Sequence, residues 1–241
     1  MAITLVQSAQ GSDGSGSASV TWGGSTTSGN LLVACVSCSR AQSAGSPPTI
    51  TAPDGSWVQA VTQIADNAAG VRVRTSIYYK ANASGESGAK TWTCTTYMSA
   101  ASIGVVVAEY SGIATASPLD QTASTADNSG TSTSCTTGTT GTTAQADELL
   151  VACVNGGSSL ESPTNSFTIQ NQTTSARFTA LADRIVSSTG TYSTTATYST
   201  GSRNVGTIAT FQAAAAASET YEEACQQDAP RTKRRIIPIG V

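Results

Sequence analysis

The sequence predicts an all-β protein: two tandem antiparallel β-sandwiches of jelly-roll or immunoglobulin-like type, then a short C-terminal helix and an extended arm. Three observations lead to this prediction. The string LLVACV occurs twice, beginning at Leu31 and again at Leu149. Alternating or apolar runs recur between clusters of Gly, Pro, Asn, Asp and Ser, as expected of strands joined by turns. No amphipathic helical pattern competes with them before residue 213.

The first predicted sandwich covers residues 1–115. Its strand signals are ITLVQSA, SASVTW, NLLVACVSC, TITA with WVQAVTQIA, VRVRTSIYYKA, AKTWTCTT and ASIGVVVAEYSG. In TWTCTT the residues Trp92, Cys94 and Thr96 alternate with three other threonines, so one face is expected to be buried and the other exposed to solvent.

The second predicted sandwich covers residues 116–214 and repeats these signals in the same order. They are QTAST, TSCTT, ELLVACVN, SFTIQNQ, RFTALADRIVS, TYSTTATYS and NVGTIATFQ. Aligning IGVVVAEYSG (103–112) with VGTIATFQAA (205–214) places Glu109 opposite Phe211. A repeat of roughly 110 residues is too long for a solenoid and suits a complete sandwich domain.

The two LLVACV strings and the run GVVV are continuously apolar. Such runs are typical of central strands that are covered on both faces or lie at a domain junction. Jelly-roll and immunoglobulin-like topologies both fit the pattern, and so does fusion of the two halves into one extended sandwich.

Composition narrows the function classes. Charged residues make up 11% and aromatic residues 5% of the chain, which is typical of extracellular or particle-surface β proteins with Ser and Thr on solvent-facing strands. The net charge of −3 argues against nucleic-acid binding. No run of about 18 apolar residues is present, so no membrane span is expected. The beginning MAITLVQSAQGS lacks the features of a signal peptide.

The chain offers little catalytic chemistry. Histidine is absent, which excludes Ser–His and Cys–His catalysis and metal sites that use histidine. Most carboxylates, including Asp13, Asp54, Asp127 and Asp147, lie in loop-like stretches where turn formation is their expected role. We therefore expect no catalytic residues, no cofactor and no metal, and a protein that is not an enzyme.

The six cysteines are scattered, and we expect most of them to be small buried side chains, with one or more disulfides as the alternative. Cys35 and Cys38 should face opposite sides of their strand. Cys225, in the C-terminal segment, is the candidate for an intermolecular disulfide. Trp57 follows the turn in APDGSWVQ and is the best candidate for an exposed, sugar-stacking aromatic side chain.

The C-terminal segment, residues 215–241, differs from the rest. QAAAAASETYEEACQQDAP predicts a helix, with Thr220 and Glu223 as a capping box and Pro230 as its end. A basic and apolar stretch, RTKRRIIPIGV, follows. It is interpreted either as a frayed terminus or as a docking arm that binds an acidic partner surface and fills apolar pockets. The arm residues are Arg231, Lys233, Arg234, Arg235, Ile236, Ile237 and Ile239.

The succession GNLLVACVS, PPTITAPDGSWVQ, IYYKANASGESGAKTWTCTT, IGVVVAEYSGI and PLDQTAS, then ADELLVACV, ADRIVSSTGTYSTTATYS and VGTIATFQA, resembles a tandem β-sandwich module. This module occurs in structural proteins of tailed bacteriophages and in bacterial surface proteins. The resemblance covers roughly residues 3–214 and implies a non-enzymatic virion or surface module.

Three functions follow as expectations. The first is a phage capsid decoration protein, made in the host cytoplasm without a signal peptide and located on the virion surface. It would contact other virion proteins through its arm and form a homo-oligomer on the particle. The second is a tail-fibre or receptor-binding module that recognises a host glycan through Trp57. The third is a secreted carbohydrate-binding or carbohydrate-active protein. Neither nucleic acid nor membrane is expected as a partner.

Overall fold

The computed structural model describes residues 2–41, 46–66, 71–96 and 101–215. These residues form strands and loops without a helix, which confirms the predicted all-β class. The strands are β1 (Thr4–Asp13), β2 (Ser17–Thr21), β3 (Leu31–Ala41), β4 (Thr49–Thr51), β5 (Val58–Ala65), β6 (Val71–Lys80), β7 (Ala89–Thr95), β8 (Ser102–Ser111), β9 (Leu119–Thr136), β10 (Asp147–Gly156), β11 (Thr168–Gln172), β12 (Phe178–Ser187) and β13 (Thr195–Gln212). The predicted helix, the arm and Cys225 lie outside the described residues.

The strands form three antiparallel sheets. The first, here the N-sheet, has the order β1-β8-β3-β6-β5; the second, the C-sheet, has the order β9-β13-β10-β12-β11; and the small sheet has the order β2-β7-β4. The N-sheet and the C-sheet use their strands in the same order along the chain, and each has a strand carrying LLVACV at its centre.

Strands β9 and β13 each correspond to two of the predicted strand signals. Both are 18 residues long and continue past the C-sheet, where residues 195–197 pair with residues 134–136. On its other side Thr197 forms a bridge with Glu161. The ends of β9 and β13 and the segment around Glu161 thus lie in the same order as β2, β7 and β4 of the small sheet. The difference is that β9 and β13 each run without a break from the C-sheet into this second layer.

The strand register corrects the sequence alignment by one residue. Leu31 is opposite Tyr110 in the N-sheet, and Leu149 is opposite Phe211 in the C-sheet. Tyr110 is therefore the counterpart of Phe211, and the alignment of Glu109 with Phe211 was wrong. A slip of one residue reverses the face of every side chain, which explains why Glu109 differs so much from the aromatic residue.

The hydrophobic cores lie between the sheets. The core between the N-sheet and the small sheet contains Leu32, Val36 and Trp92. A second core joins the N-sheet to the C-sheet and includes Val33 and Val151. Leu150, Ala152 and Phe167 pack in a third core on the other face of the C-sheet. Both LLVACV strands are thus covered on both faces, as their uninterrupted apolar sequence predicted.

Trp57 lies in the core, so its predicted exposure was wrong. Its side chain is only 7% exposed, and its ring packs edge-on against Trp92 with 5.2 Å between centroids. Tyr78 contacts the same Trp92 ring at 5.2 Å. Aromatic pairs of this kind add about 0.5–1.5 kcal/mol beyond the burial of their area. The turn before Trp57 is exposed, but β5 begins at Val58 and the indole turns inward.

The described cysteines include both of the predicted kinds, buried free thiols and a disulfide. Cys35, Cys135 and Cys153 are buried thiols, whereas Cys38 and Cys94 form a disulfide with their Cα atoms 6.3 Å apart. That bond links β3 to β7 and hence the N-sheet to the small sheet. Cys35 and Cys38 face different cores, as the alternation of side chains along a strand predicted.

Asp13 and Asp54 lie at turns, as the sequence predicted, whereas Asp127 lies within β9 at a shift of the strand register and Asp147 begins β10. The Asp13, Asp54 and Asp127 carboxylates each accept hydrogen bonds from the backbone and hydroxyl of the serine two residues later. Hydrogen bonds from these serines lower the pKa of all three aspartates, because they stabilise the ionised carboxylate. Their role is local, in the geometry of the turn.

Candidate docking surface

The last described residues of the chain are held by backbone hydrogen bonds to both halves of the protein. The Ala213 amide donates a 3.0 Å hydrogen bond to the Asp147 carbonyl, and the Ala214 amide donates a 2.8 Å bond to the Gly112 carbonyl. Ala213 also bridges to Ile113. The C-terminal segment therefore leaves from a point fixed between the two halves of the chain. We call the surface around these residues the exit surface.

The N-terminal residues lie on the exit surface as well. Gly112 has a φ of 79°, and a Cβ atom there would lie 2.3 Å from the carbonyl oxygen of Ala2. Only glycine allows both this backbone conformation and this close approach. Gly112 thus holds the first described residues against the linker that leads from β8 to β9.

Two surface pockets open next to the exit point. The first, of about 350 Å³, is lined by the apolar side chains of Ile3, Ile185 and Val186 and by Asp147. Ile185 is 51% exposed and presents an apolar side chain to this pocket. The second, of about 330 Å³, lies between the 28–30 loop, residues 111–115 and Ala214. Both pockets are small and combine apolar walls with a few polar groups.

Glu109 holds one wall of the second pocket in place. Its buried carboxylate accepts hydrogen bonds from the Thr27 amide at 2.6 Å and the Asn30 side chain at 2.7 Å through one oxygen. The other oxygen accepts a 2.7 Å bond from the Gln7 side chain. Three donors satisfy the carboxylate. Through these hydrogen bonds Glu109, which belongs to β8, links β1 to the loop that contains Thr27 and Asn30.

A pair of carboxylates lies at the same end of the C-sheet. Glu148 is fully buried, and neither of its oxygens accepts a hydrogen bond of good geometry from the residues that the structure describes. Burial and, further, the neighbouring Asp120 raise its pKa from 4.5 to about 7. Both oxygens of Asp120 have a donor, since one accepts a 2.7 Å hydrogen bond from the Ala144 amide and the other a 3.1 Å bond from the Gln121 side chain. Glu148 therefore changes its charge near neutral pH.

The sequence did not nominate this carboxylate pair. Asp120 is the second residue of β9 and Glu148 belongs to β10, and the strand β13 between them brings the two together in the C-sheet. The docking-arm hypothesis placed acidic groups on the surface of a partner, and it did not predict them near the exit point of this chain. The exposed, sugar-stacking side chain predicted at Trp57 is not part of this surface, because Trp57 is in the core.

The described residues contain no group of three or more Cys, Asp or Glu side chains placed to hold a metal ion. Within the same residues, no helix is long and apolar enough to cross a membrane. No family model, curated protein or solved structure matches the chain.

Proposed function

We propose that the protein is a non-enzymatic structural protein of a phage virion, in which two tandem jelly-roll sandwiches decorate the capsid and the C-terminal arm anchors them. The observation that carries this proposal is the strand order. In a jelly roll, one four-stranded sheet contains the first, last, third and sixth of eight strands, as in β1-β8-β3-β6, and the facing sheet contains the second, seventh and fourth, as in β2-β7-β4. Of these eight strands, only β5 departs from the jelly-roll pattern, because it pairs with β6 in the N-sheet and not with β4 in the facing sheet.

The jelly roll is a frequent architecture of viral capsid and lectin domains. Immunoglobulin-like sandwiches combine their strands differently, so the strand order favours the jelly roll of the two predicted topologies. Because a fold alone does not determine function, the assignment to a capsid also depends on the arm and on the surface from which it leaves.

The exit surface supports anchoring through the arm. Ala213 and Ala214 are hydrogen-bonded to Asp147 and Gly112, so the residues that follow start from a fixed point on the sandwich. The arm combines four basic residues with three isoleucines, a composition suited to an acidic surface with apolar pockets.

The proposal is tested by incorporation of arm variants into virions of the phage that encodes the chain. Deletion of residues 231–241 should abolish incorporation while the sandwiches stay folded. As a matched variant, serine at positions 236, 237 and 239 keeps length and charge and should weaken incorporation if the isoleucines fill pockets. Undiminished incorporation of the deletion variant rejects the arm as anchor. Absence of the wild-type chain from purified virions rejects the virion assignment itself.

A further inference from the structure

The two cysteines of the repeated LLVACV strings meet at the interface between the N-sheet and the C-sheet. Cys35 and Cys153 are both 0% exposed and belong to the same core. The Cys35 sulfur lies 3.8 Å from the carbonyl oxygen of Ala152, the residue directly before Cys153. Cα atoms of β3 and β10 approach each other within 8 Å, which is close for two sheets packed face to face.

The strand register gives the two cysteines equivalent positions. Cys35 lies between Val106 and Ile77 in the N-sheet, and Cys153 lies between Thr207 and Leu181 in the C-sheet. Both belong to the central strand of their sheet, and both point into the shared core. The repeated string therefore brings two thiols together from opposite sides.

We propose that Cys35 and Cys153 form a second disulfide, which clamps the N-sheet covalently to the C-sheet. The oxidant is a low-molecular-weight disulfide such as oxidised glutathione. Each cysteine loses its thiol proton, the two sulfurs bond, and the two electrons released cleave the oxidant into two thiols. The bond has a parallel in the same chain, because Cys38–Cys94 also joins two packed sheets.

The burial of the thiols determines when the bond forms. Burial and, further, the neighbouring Cys153 thiol raise the pKa of Cys35, and the thiolate is the reactive form. A closed core therefore protects both sulfurs from the oxidant. Formation of the bond belongs to folding under oxidising conditions, before the N-sheet and the C-sheet close on each other.

Among the described residues Cys135 is the competing thiol, and the structure separates it from this pair. It packs with Val154 and Tyr198 in a different core. Because Val154 and Cys153 are neighbours on one strand, their side chains face opposite sides of the C-sheet. Cys153 thus points towards Cys35 and away from Cys135.

Peptide mapping of the full-length protein tests the proposal. The chain is refolded in a glutathione redox buffer, alkylated without reduction, and cleaved after Lys, Arg and Glu. This cleavage puts Cys35 and Cys38 on peptide 1–40, Cys94 on 91–109, Cys135 on 110–148 and Cys153 on 149–161. The expected product is one species that joins 1–40, 91–109 and 149–161, with 110–148 alkylated.

Recovery of 149–161 as an alkylated free thiol, or its linkage to 110–148 or to 224–231, which carries Cys225, overturns the proposal. A Cys135→Ser variant is the matched control and should give the same three-peptide species. Protein that is first folded under reducing conditions and then exposed to the same buffer should keep the 149–161 thiol free. Equally rapid linkage in that sample contradicts bond formation before closure of the core.

Discussion

The Tyr110 hydroxyl donates a 2.7 Å hydrogen bond to the Asp183 carboxylate across the interface between the N-sheet and the C-sheet. Gln170 donates a 2.8 Å hydrogen bond to the other carboxylate oxygen. Burial raises the pKa of Asp183, while these two donors oppose the rise. A polar contact inside an otherwise apolar interface favours one relative position of the two sheets, since sliding would cost the buried carboxylate one of its two donors.

Replacing Tyr110 by phenylalanine should destabilise the protein by about 1–3 kcal/mol at neutral pH, because Asp183 loses a donor in a buried site. The ring itself is tolerated at this position, since Phe211 occupies the equivalent place in the C-sheet. Urea unfolding measures the change. The loss should shrink in acid, because the hydrogen bond from Tyr110 lowers the pKa of Asp183 by stabilising the ionised carboxylate, and protonation of Asp183 removes that stabilisation.

Tyr79→Phe is the control for this prediction. Tyr79 packs edge-on against Phe211 with 5.4 Å between ring centroids and borders the same core. Its hydroxyl makes no hydrogen bond to the described residues, so the variant should lie within about 0.5 kcal/mol of wild type. Equal effects of the two substitutions would show that the bond to Asp183 contributes nothing specific.

Much of the fold was predictable because strand signals are local. Alternation in TWTCTT placed Trp92 and Cys94 inward, and the unbroken apolar run around Cys35 and Cys153 indicated strands covered on both faces. The partner of each covered face was not predictable, because packing between sheets joins residues far apart in the chain. Neither the Cys35–Cys153 contact nor the Tyr110–Asp183 bond has a signature in the sequence.

The sequence was misleading where a local signal competed with packing. The turn in APDGS favoured an exposed Trp57, yet the indole fills the gap beside Trp92. Composition similarity aligned Glu109 with Phe211, although the hydrogen-bond register pairs Tyr110 and Phe211 with the two equivalent leucines. No sequence pattern indicated that Asp120 and Glu148 are neighbours, because their strands, β9 and β10, are brought together only by β13, which lies between them in the C-sheet.

Protein stability should depend on the protonation of Glu148. Its folded-state pKa of about 7 lies above the ordinary value of 4.5, so its contribution is fully present below pH 4.5 and is lost as the pH rises through about 7. The loss is on the order of 2 kcal/mol. Glu148→Gln, which stays neutral, should remove this part of the pH dependence in urea unfolding between pH 4 and 8.

Glu161→Gln is the matched control, because Glu161 is exposed and its side chain accepts no hydrogen bond among the described residues. The control should follow the pH profile of the wild type. An unchanged profile in Glu148→Gln would mean that another group causes the loss of stability at neutral pH.

Gly104→Ala should destabilise the protein by about 1–3 kcal/mol through overpacking. A Cβ atom at Gly104 in the N-sheet would lie 2.3 Å from the Arg177 carbonyl oxygen and 2.6 Å from the Thr179 hydroxyl, both in the second half of the chain. Gly55→Ala is the control, since a Cβ there meets nothing within 4 Å. Thermal unfolding of both variants measures the difference, and equal midpoints would contradict the close approach at Gly104.

Loss of the Cys38–Cys94 disulfide should destabilise the chain more than loss of any single buried thiol. The bond closes a loop with a sequence separation of 56 residues, and the entropy of a loop of that length corresponds to about 4 kcal/mol at most. The double variant Cys38→Ala with Cys94→Ala should therefore lose about 2–4 kcal/mol in urea unfolding. Cys135→Ala, which removes a buried thiol without a disulfide, should lose about 1 kcal/mol. In a Cys153→Ala background, where the proposed second disulfide cannot form, reduction after denaturation should lower the chain to the level of the same background that also carries the two substitutions. A double variant no less stable than Cys135→Ala would instead mean that packing around Trp92, and not the covalent link, holds the small sheet to the N-sheet.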